Sequence, residues 1–496
     1  MVRHSRAMVD SDQPHDQSPA ILDLPVGIEA TGERTEADSL GEVLVPADHY
    51  WGAQTQRSLH HFDIGDDKMP KEVHRAYGPI KQAAAIVNTR AGRLPQWKGK
   101  LIARVSQEVS DGALDAEFPL HVWQTGSGTH TNMNVNEVIA NRCIQLLGAA
   151  LGSHQPVHPN DDVNMSQSSN DTFPTAMHLA GYKVTKEQTL PALRNLRDAM
   201  DAKARLWASV VKIGRTHLQD ATPLTVGQEW SGYVSALDDS IANIEFATEG
   251  LLDVAMGGTA VGTGLNAPAN FGQEVAAELA RLTGFAVRTA DNKFAAQATL
   301  DRMVRAHAAL TSAAVTLYKI ANDLRWLGSG PRTGIAELIL PSNEAGSSIM
   351  PGKSNPTQAE ALLMVCIEVI GSDVSVRMAG AEGNFELNAF RPIVIRKYLH
   401  SALILKDATD RFREFMIEGT ELNLEKINSD VARSVMLVTA LSPVIGYDEA
   451  AHIAHDAIER NVTLKEAALA NGVSEALFDQ VVVPLYMTHP GPSDAQ

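Results

Sequence analysis

Cysteine is nearly missing from this chain: Cys143 and Cys366 are the two in 496 residues. A disulfide-stapled scaffold is thereby excluded. Each thiol falls inside an apolar helical run, where a buried, reduced cysteine of a cytoplasmic protein is expected. Aromatic residues are scarce at 5%, so the core must be built from Ala, Leu, Val and Ile, a composition suited to packed helices. Positive charge is in deficit. The formal net charge is −17, which argues against nucleic acid as a partner. An anionic small molecule would need a local positive site, because the global field repels it. Long apolar runs are absent too, and the first residues lack a signal peptide's apolar core. A soluble protein with no membrane partner is expected.

Residues 1–39 hold eight Asp or Glu against three Arg, and read as a disordered acidic extension too acidic for a mitochondrial transit peptide. Residues 40–167 read as a mixed, mostly helical N-terminal domain, with 43–51 extended and helices over 72–91, 101–114 and 135–147. Residues 168–421 read as a central helical bundle, with helical patterns over 172–211, 271–282, 295–327, 356–381 and 390–420. Several of these are too long for one small globule and suit packing against other subunits. Shorter helices over 422–496 form a small C-terminal domain. The fold class is mainly α.

Polar clusters punctuate the helices. Gly346-Ser-Ser-Ile-Met-Pro-Gly-Lys-Ser-Asn-Pro356 joins hydroxyls, a cation and an amide in a short loop, with Asn355 and Pro356 as expected N-cap and first helical residue. Its Gly-Lys-Ser end is no P-loop, because the first glycine of that motif falls on Ser347. Thr125-Gly-Ser-Gly-Thr129 and Ser168-Ser-Asn170 each precede a helix, where hydroxyls, an amide and free backbone N–H groups suit a carboxylate. Thr216-His217 occupies another polar break. His158 with Asp161 and Asp162 lacks the further ligands and spacing of a zinc site, so neither metal nor cofactor is expected. The glycines of 257–264 read as a loop, because no convincing strand precedes them as a dinucleotide fingerprint requires. Together the clusters suit holding two carboxylates and moving a proton beside one of them.

These residues carry a resemblance. Gly346–Pro356 is similar to the signature of the fumarase/aspartase superfamily. Trp51–Ser58, Thr125–Thr129, His158–Asp171, Gly214–Asp220 and Gly257–Gly264 resemble the class II fumarase family within it. The resemblance implies a three-domain, mainly α fold whose long helices form a twenty-helix core in a homotetramer, with each active site shared by three chains. It implies reversible, stereospecific hydration of fumarate to L-malate, a tricarboxylic acid cycle step. The chemistry would be metal-independent acid/base catalysis through a stabilised carbanion, the aci-carboxylate. By position, Ser347 resembles the base at C3, and His217 paired with Glu360 the group acting on the water at C2. Ser127, Gly128, Thr129, Ser168, Ser169, Asn170, Thr216, Ser348, Lys353 and Asn355 resemble the dicarboxylate-binding set. His158, Pro159, Asn160 and Asp161 resemble a second anion site near the entrance. Ser354, Ala345 and Gln155 depart from the usual valine, proline and arginine. The competing readings are aspartate ammonia-lyase, against which Thr357 and Gln358 speak, and a non-catalytic helical scaffold, against which the retained polar set speaks.

Overall fold

The computed structural model describes residues 19–491, so 1–18 of the expected extension lie outside the described residues. Among the described residues the chain is mainly α-helical, with four small two-stranded sheets. Contacts gather into two compact units, each assembled from three stretches. Among the described residues the first takes in 19–180, 252–300 and 382–396; the second 181–251, 301–381 and 397–491.

An antiparallel hairpin, Glu33–Asp38 against Gly41–Pro46, opens the described part of the first unit. This corrects the expectation of disorder up to residue 39. Glu36 is only 2% exposed, and its carboxylate accepts from Arg34 at 2.8 Å and Asn141 at 3.1 Å. Upstream, the Leu22 N–H donates to the Leu146 carbonyl at 2.8 Å, and the Leu24 and Pro25 carbonyls accept from Arg142. An acid-rich composition predicts disorder only where the fold supplies no partners, and here it supplies them. The helix Thr129–Leu146 is buried on every side from Thr131 to Ile144, so its polar residues need internal acceptors. The Asn134 amide donates to the Glu117 carbonyl at 3.0 Å and that of Asn141 to the Tyr50 carbonyl at 2.8 Å. The helix Lys71–Arg90 packs along Gln96–Ser110 and Phe271–Thr283.

In the second unit the helices Val226–Glu249, Asp301–Leu327 and Thr357–Ala381 pack successively side by side, with Leu190–Leu206 against the first of them. Asp301–Leu327 buries Ala306, Ala309, Ala313, Ala314 and Ala321, small side chains that let helix axes approach. His307 is fully buried among them, Nδ1 2.9 Å from Asp373 and Nε2 3.0 Å from Ser401. Cys143 and Cys366 are free and buried; burial raises both thiols, Cys366 to about 12. The helix expected over 172–211 ends at Leu206, and Val211–Thr216 pairs with Gln219–Thr225 as a hairpin. Pro223 therefore lies in a strand, and the next helix starts at Val226 behind a capping box of Thr225 and Gln228. β-Branched Val211, Ile213, Thr222 and Thr225 favour the ladder over a continued helix. Past residue 422, Leu424–Arg433, Tyr447–Arg460, Leu464–Ala470 and Glu475–Val481 accompany a local core that includes Leu441, Ile453, Ala467 and Phe478.

Candidate active site

The first unit contains a cavity of about 540 Å³ lined by hydroxyl and amide side chains together with Arg93, Asp161, Met133, Met165 and Leu265. Ser127 sits between two glycines, each required. A Cβ on Gly126 would lie 1.4 Å from the Ala389 carbonyl oxygen, and one on Gly128, at φ +80°, would meet the Phe173 ring at 2.2 Å. So held, Ser127 Oγ lies 2.8 Å from Thr129 Oγ1, which lies 2.7 Å from Ser169 Oγ. Three hydroxyls from two separate segments thus form one chain. Ser168 precedes the helix Ser169–Val184, and its N–H donates to Asp171 Oδ1 at 3.0 Å. Asp171 Oδ2 accepts from the Gly257 and Thr259 N–H groups at 3.1 and 2.9 Å, and Asn170 donates to the Ala260 carbonyl at 2.8 Å. The glycine-rich segment is therefore a loop that buttresses the serines. Before it stands only the two-residue strand Asp253–Val254. Burial pushes the Asp171 carboxyl up to about 6, against the three N–H donors that favour its anion.

Asn160 and Asp161 line the same cavity. His158 caps the turn Pro159–Val163, its Nδ1 accepting from the Asn160 and Asp161 N–H groups at 3.1 Å each. Asp162 is committed elsewhere, to Lys98 at 2.7 Å and the His158 N–H at 2.8 Å.

The remaining expected site residues belong to the second unit. Thr216 pairs with Gln219, leaving His217 and Leu218 as a two-residue turn with φ +56° and +59°, the primed-turn geometry that glycine and asparagine usually supply. Buried Glu337 anchors the hairpin along its first strand, pairing with Lys212 near the base at 2.7 Å and with Arg215 near the turn at 2.8 Å. Rigid at its root, the hairpin presents an exposed imidazole at its tip. In the signature loop, Ser347 Oγ accepts from the N–H groups of Ile349 and Met350 at 3.2 and 3.0 Å. Ser348 and Lys353 are exposed. The Asn355 amide donates to the Gly346 carbonyl at 2.7 Å, so it ties the two limbs of the loop; the helix begins at Thr357. Glu360 is exposed in that helix's first turn, and among the described residues no hydrogen bond or ion pair joins it to His217.

With this arrangement established, residues 41–371 match the family described as lyase, and 437–489 match the fumarase C C-terminus. The chain belongs to the class II fumarase family. A protein of Methanosarcina acetivorans named fumarate hydratase class II is 64% identical over 470 residues, 95% of this chain and 97% of its own. A mitochondrial fumarate hydratase of Rhizopus oryzae is 54% identical over 91% of this chain and 92% of its own. The crystal structure of a class II fumarase from Schistosoma mansoni superposes with a TM-score of 0.90 at 41% identity, covering 92% of this chain and 99% of its own. As a class II fumarase family member the chain is a lyase. Among its described residues no helix is long and apolar enough to cross a membrane.

Three residues of the first unit escaped the sequence reading. Asp171 stood within a recognised run, without a role. Lys81 is fully buried in the helix Lys71–Arg90 and donates to Asn132, Asn164 and Gln167 at 2.8, 3.0 and 3.0 Å. Its spacing with Tyr77, Ala84 and Asn88 puts a charge in the buried stripe of an amphipathic helix, a signal that could have flagged it. Arg391, equally buried, donates to the Ser127 and Gln297 carbonyls at 3.3 and 2.6 Å. No local pattern marks it, because its partners are remote in sequence.

Proposed function

We propose that this chain is a fumarate hydratase that reversibly adds water to fumarate to give L-malate. The observation that carries this reading is the hydroxyl chain of Ser127, Thr129 and Ser169 beside Asn170, whose Thr129 and Ser169 line the cavity with Ser168, on a chain 64% identical to a protein of that name. Taking malate as the substrate, Ser347 removes the C3 proton. A serine alkoxide is a demanding base, and the Ile349 and Met350 N–H groups aimed at Oγ are the kind of donors that stabilise one. The charge left behind spreads into the adjacent carboxylate as the aci-carboxylate. Each preorganised donor to it contributes roughly 10²–10³ in rate. Ser127, Gly128, Thr129, Ser168, Ser169, Asn170, Thr216, Ser348, Lys353 and Asn355 hold the two carboxylates. His217, oriented by Glu360, protonates the C2 hydroxyl, which leaves as water when the C2–O bond breaks.

The site is shared between chains of a homotetramer built on a twenty-helix core, with three domains divided near 39, 167 and 421. Two observations support this. Among the described residues no hydrogen bond or ion pair joins His217 to Glu360, and Met364, Ile367, Val374 and Met378 of the helix Thr357–Ala381 are each more than half exposed. An apolar face of that extent calls for a covering partner. His158, Pro159, Asn160 and Asp161 form a second anion site, and the reduced buried thiols suit a cytoplasmic enzyme.

The test is turnover by chelator-treated protein. Malate dehydration followed at the fumarate absorbance band should be sustained, and ammonia release from aspartate should be absent. Ammonia release without malate dehydration would assign the chain to the ammonia-lyases instead.

A further inference from the structure

Lys81 raises a physical question that the proposed chemistry leaves unanswered. Burying an ammonium costs several kcal/mol unless an anion compensates, and among the described residues Lys81 forms no ion pair. Its three N–H bonds all go to neutral amide oxygens. Neutral donors could satisfy those oxygens without any buried charge. The nearby anion Asp171 is already held by the backbone N–H groups of Ser168, Gly257 and Thr259. Arg391 is a second buried cation without an ion pair: two of its nitrogens reach carbonyls, and its Nε is buried with no partner. Burial lowers the Lys81 ammonium to about 7, and the cavity's own Arg93 and Asp161 offset each other, so with Lys81 protonated, Lys81 and Arg391 against Asp171 leave one positive charge in excess.

The three amides that Lys81 holds point to where that charge acts. Asn132, Asn164 and Gln167 each line the 540 Å³ cavity, beside Thr129, Ser168 and Ser169. They are also bonded to one another: Asn132 donates to Asn164 at 3.2 Å, and Asn164 to the Gln167 carbonyl at 3.2 Å. Lys81 thus closes the polar floor from behind and sets Gln167 immediately before the serines.

We propose that Lys81 is a positioning residue for a dianionic ligand, placing a buried positive charge behind the cavity floor while fixing Asn132, Asn164 and Gln167 within it. The proposal rests on the dicarboxylate reading above. It predicts that the cavity selects dianions over monoanions partly through a group that does not touch them.

The experiment compares Lys81→Met, Lys81→Gln and Lys81→Arg with the unaltered full-length protein. Calorimetric binding of succinate and of its monomethyl ester is measured beside malate turnover. Loss of one charge behind the cavity floor, in a partly screened site, should weaken succinate binding and raise the malate KM roughly 10–50-fold. The change in kcat should be smaller than that in KM, and the preference for succinate over its ester should narrow. Lys81→Arg should restore most of that preference. If the Met variant does not assemble, the Gln variant, which keeps amide donors, carries the same comparison. Unchanged succinate binding in an assembled neutral variant overturns the proposal. So does equal weakening of both ligands with no recovery in Lys81→Arg, because that pattern marks a purely structural lysine. An unaltered protein that binds succinate without turning over malate defeats the hydratase reading and leaves this inference to be judged on binding.

Discussion

The cavity wall of the first unit and the signature loop of the second carry similar residue types and are built in opposite ways. Around Ser127 and Ser169 every support is buried: close-fitting glycines, the Asp171 carboxylate on three N–H groups, and two buried cations. Around Ser347 the supports are local. Two N–H groups of its own loop reach its oxygen, one amide spans the limbs, and Ile349 is 85% exposed. The wall is preorganised by packing, whereas the loop is held by a few hydrogen bonds and has low local packing. Binding groups that must select a diacid benefit from the first design. A reacting group that must admit substrate benefits from the second.

Substitutions can sharpen or break this contrast. The largest effect is expected in the loop: Ser347→Ala should lower malate dehydration by at least about 10³-fold with assembly and melting temperature kept. Activity within a few fold of the original would remove the serine from the proton transfer. At the hairpin tip, His217→Asn should cost roughly 10²–10⁴ in kcat while a dicarboxylate still binds. Asparagine tolerates the left-handed φ, so the turn itself should persist.

The wall should instead lose stability. Gly126→Ala drives a methyl into the Ala389 carbonyl and should cost about 1–3 kcal/mol or more, read as a fall in melting temperature together with weakened binding. A melting temperature equal to the original would mean that the wall adapts as a loop does. Asp171→Asn leaves backbone donors unsatisfied and should cost about 1–3 kcal/mol. It also carries a pH signature. Burial raises the folded carboxyl to about 6 from its ordinary 3.8, so the folded state holds the proton more tightly. That contribution is present below pH 3.8 and is lost as pH rises through 6; the Asn variant should lack this slope in melting temperature. The smallest effect lies among the C-terminal helices. Thr463→Ala removes a capping box with Glu466 and should cost about 1 kcal/mol with turnover unchanged.

Much of the fold was legible because long helices announce themselves by period. Phe271–Thr283 and Thr357–Ala381 lie within a residue of the expected 271–282 and 356–381. The 211–225 hairpin was missed for a definite reason. A helical pattern runs up to it, and Pro223 in a polar break looks like a helix start, though it sits opposite Ile213 in a strand. The chemistry-bearing letters of the site could be read as short polar runs between helices. Of their supports, Lys81 shows as a charge in a buried stripe, whereas Asp171 and Arg391 act on residues remote in sequence, Thr259 and Ser127, that no local pattern links to them.

By itself the sequence determined the helical class, the buried thiols and the family, since these follow from residue periodicity and long local motifs. The tertiary structure alone decided that Ser127, Thr129 and Ser169 form one chain of hydroxyls, and that His217 stands on a hairpin tip. It alone placed the buried Lys81 on the amides of the cavity floor. Burial and long-range pairing set those features, and neither is a property of any short stretch of chain.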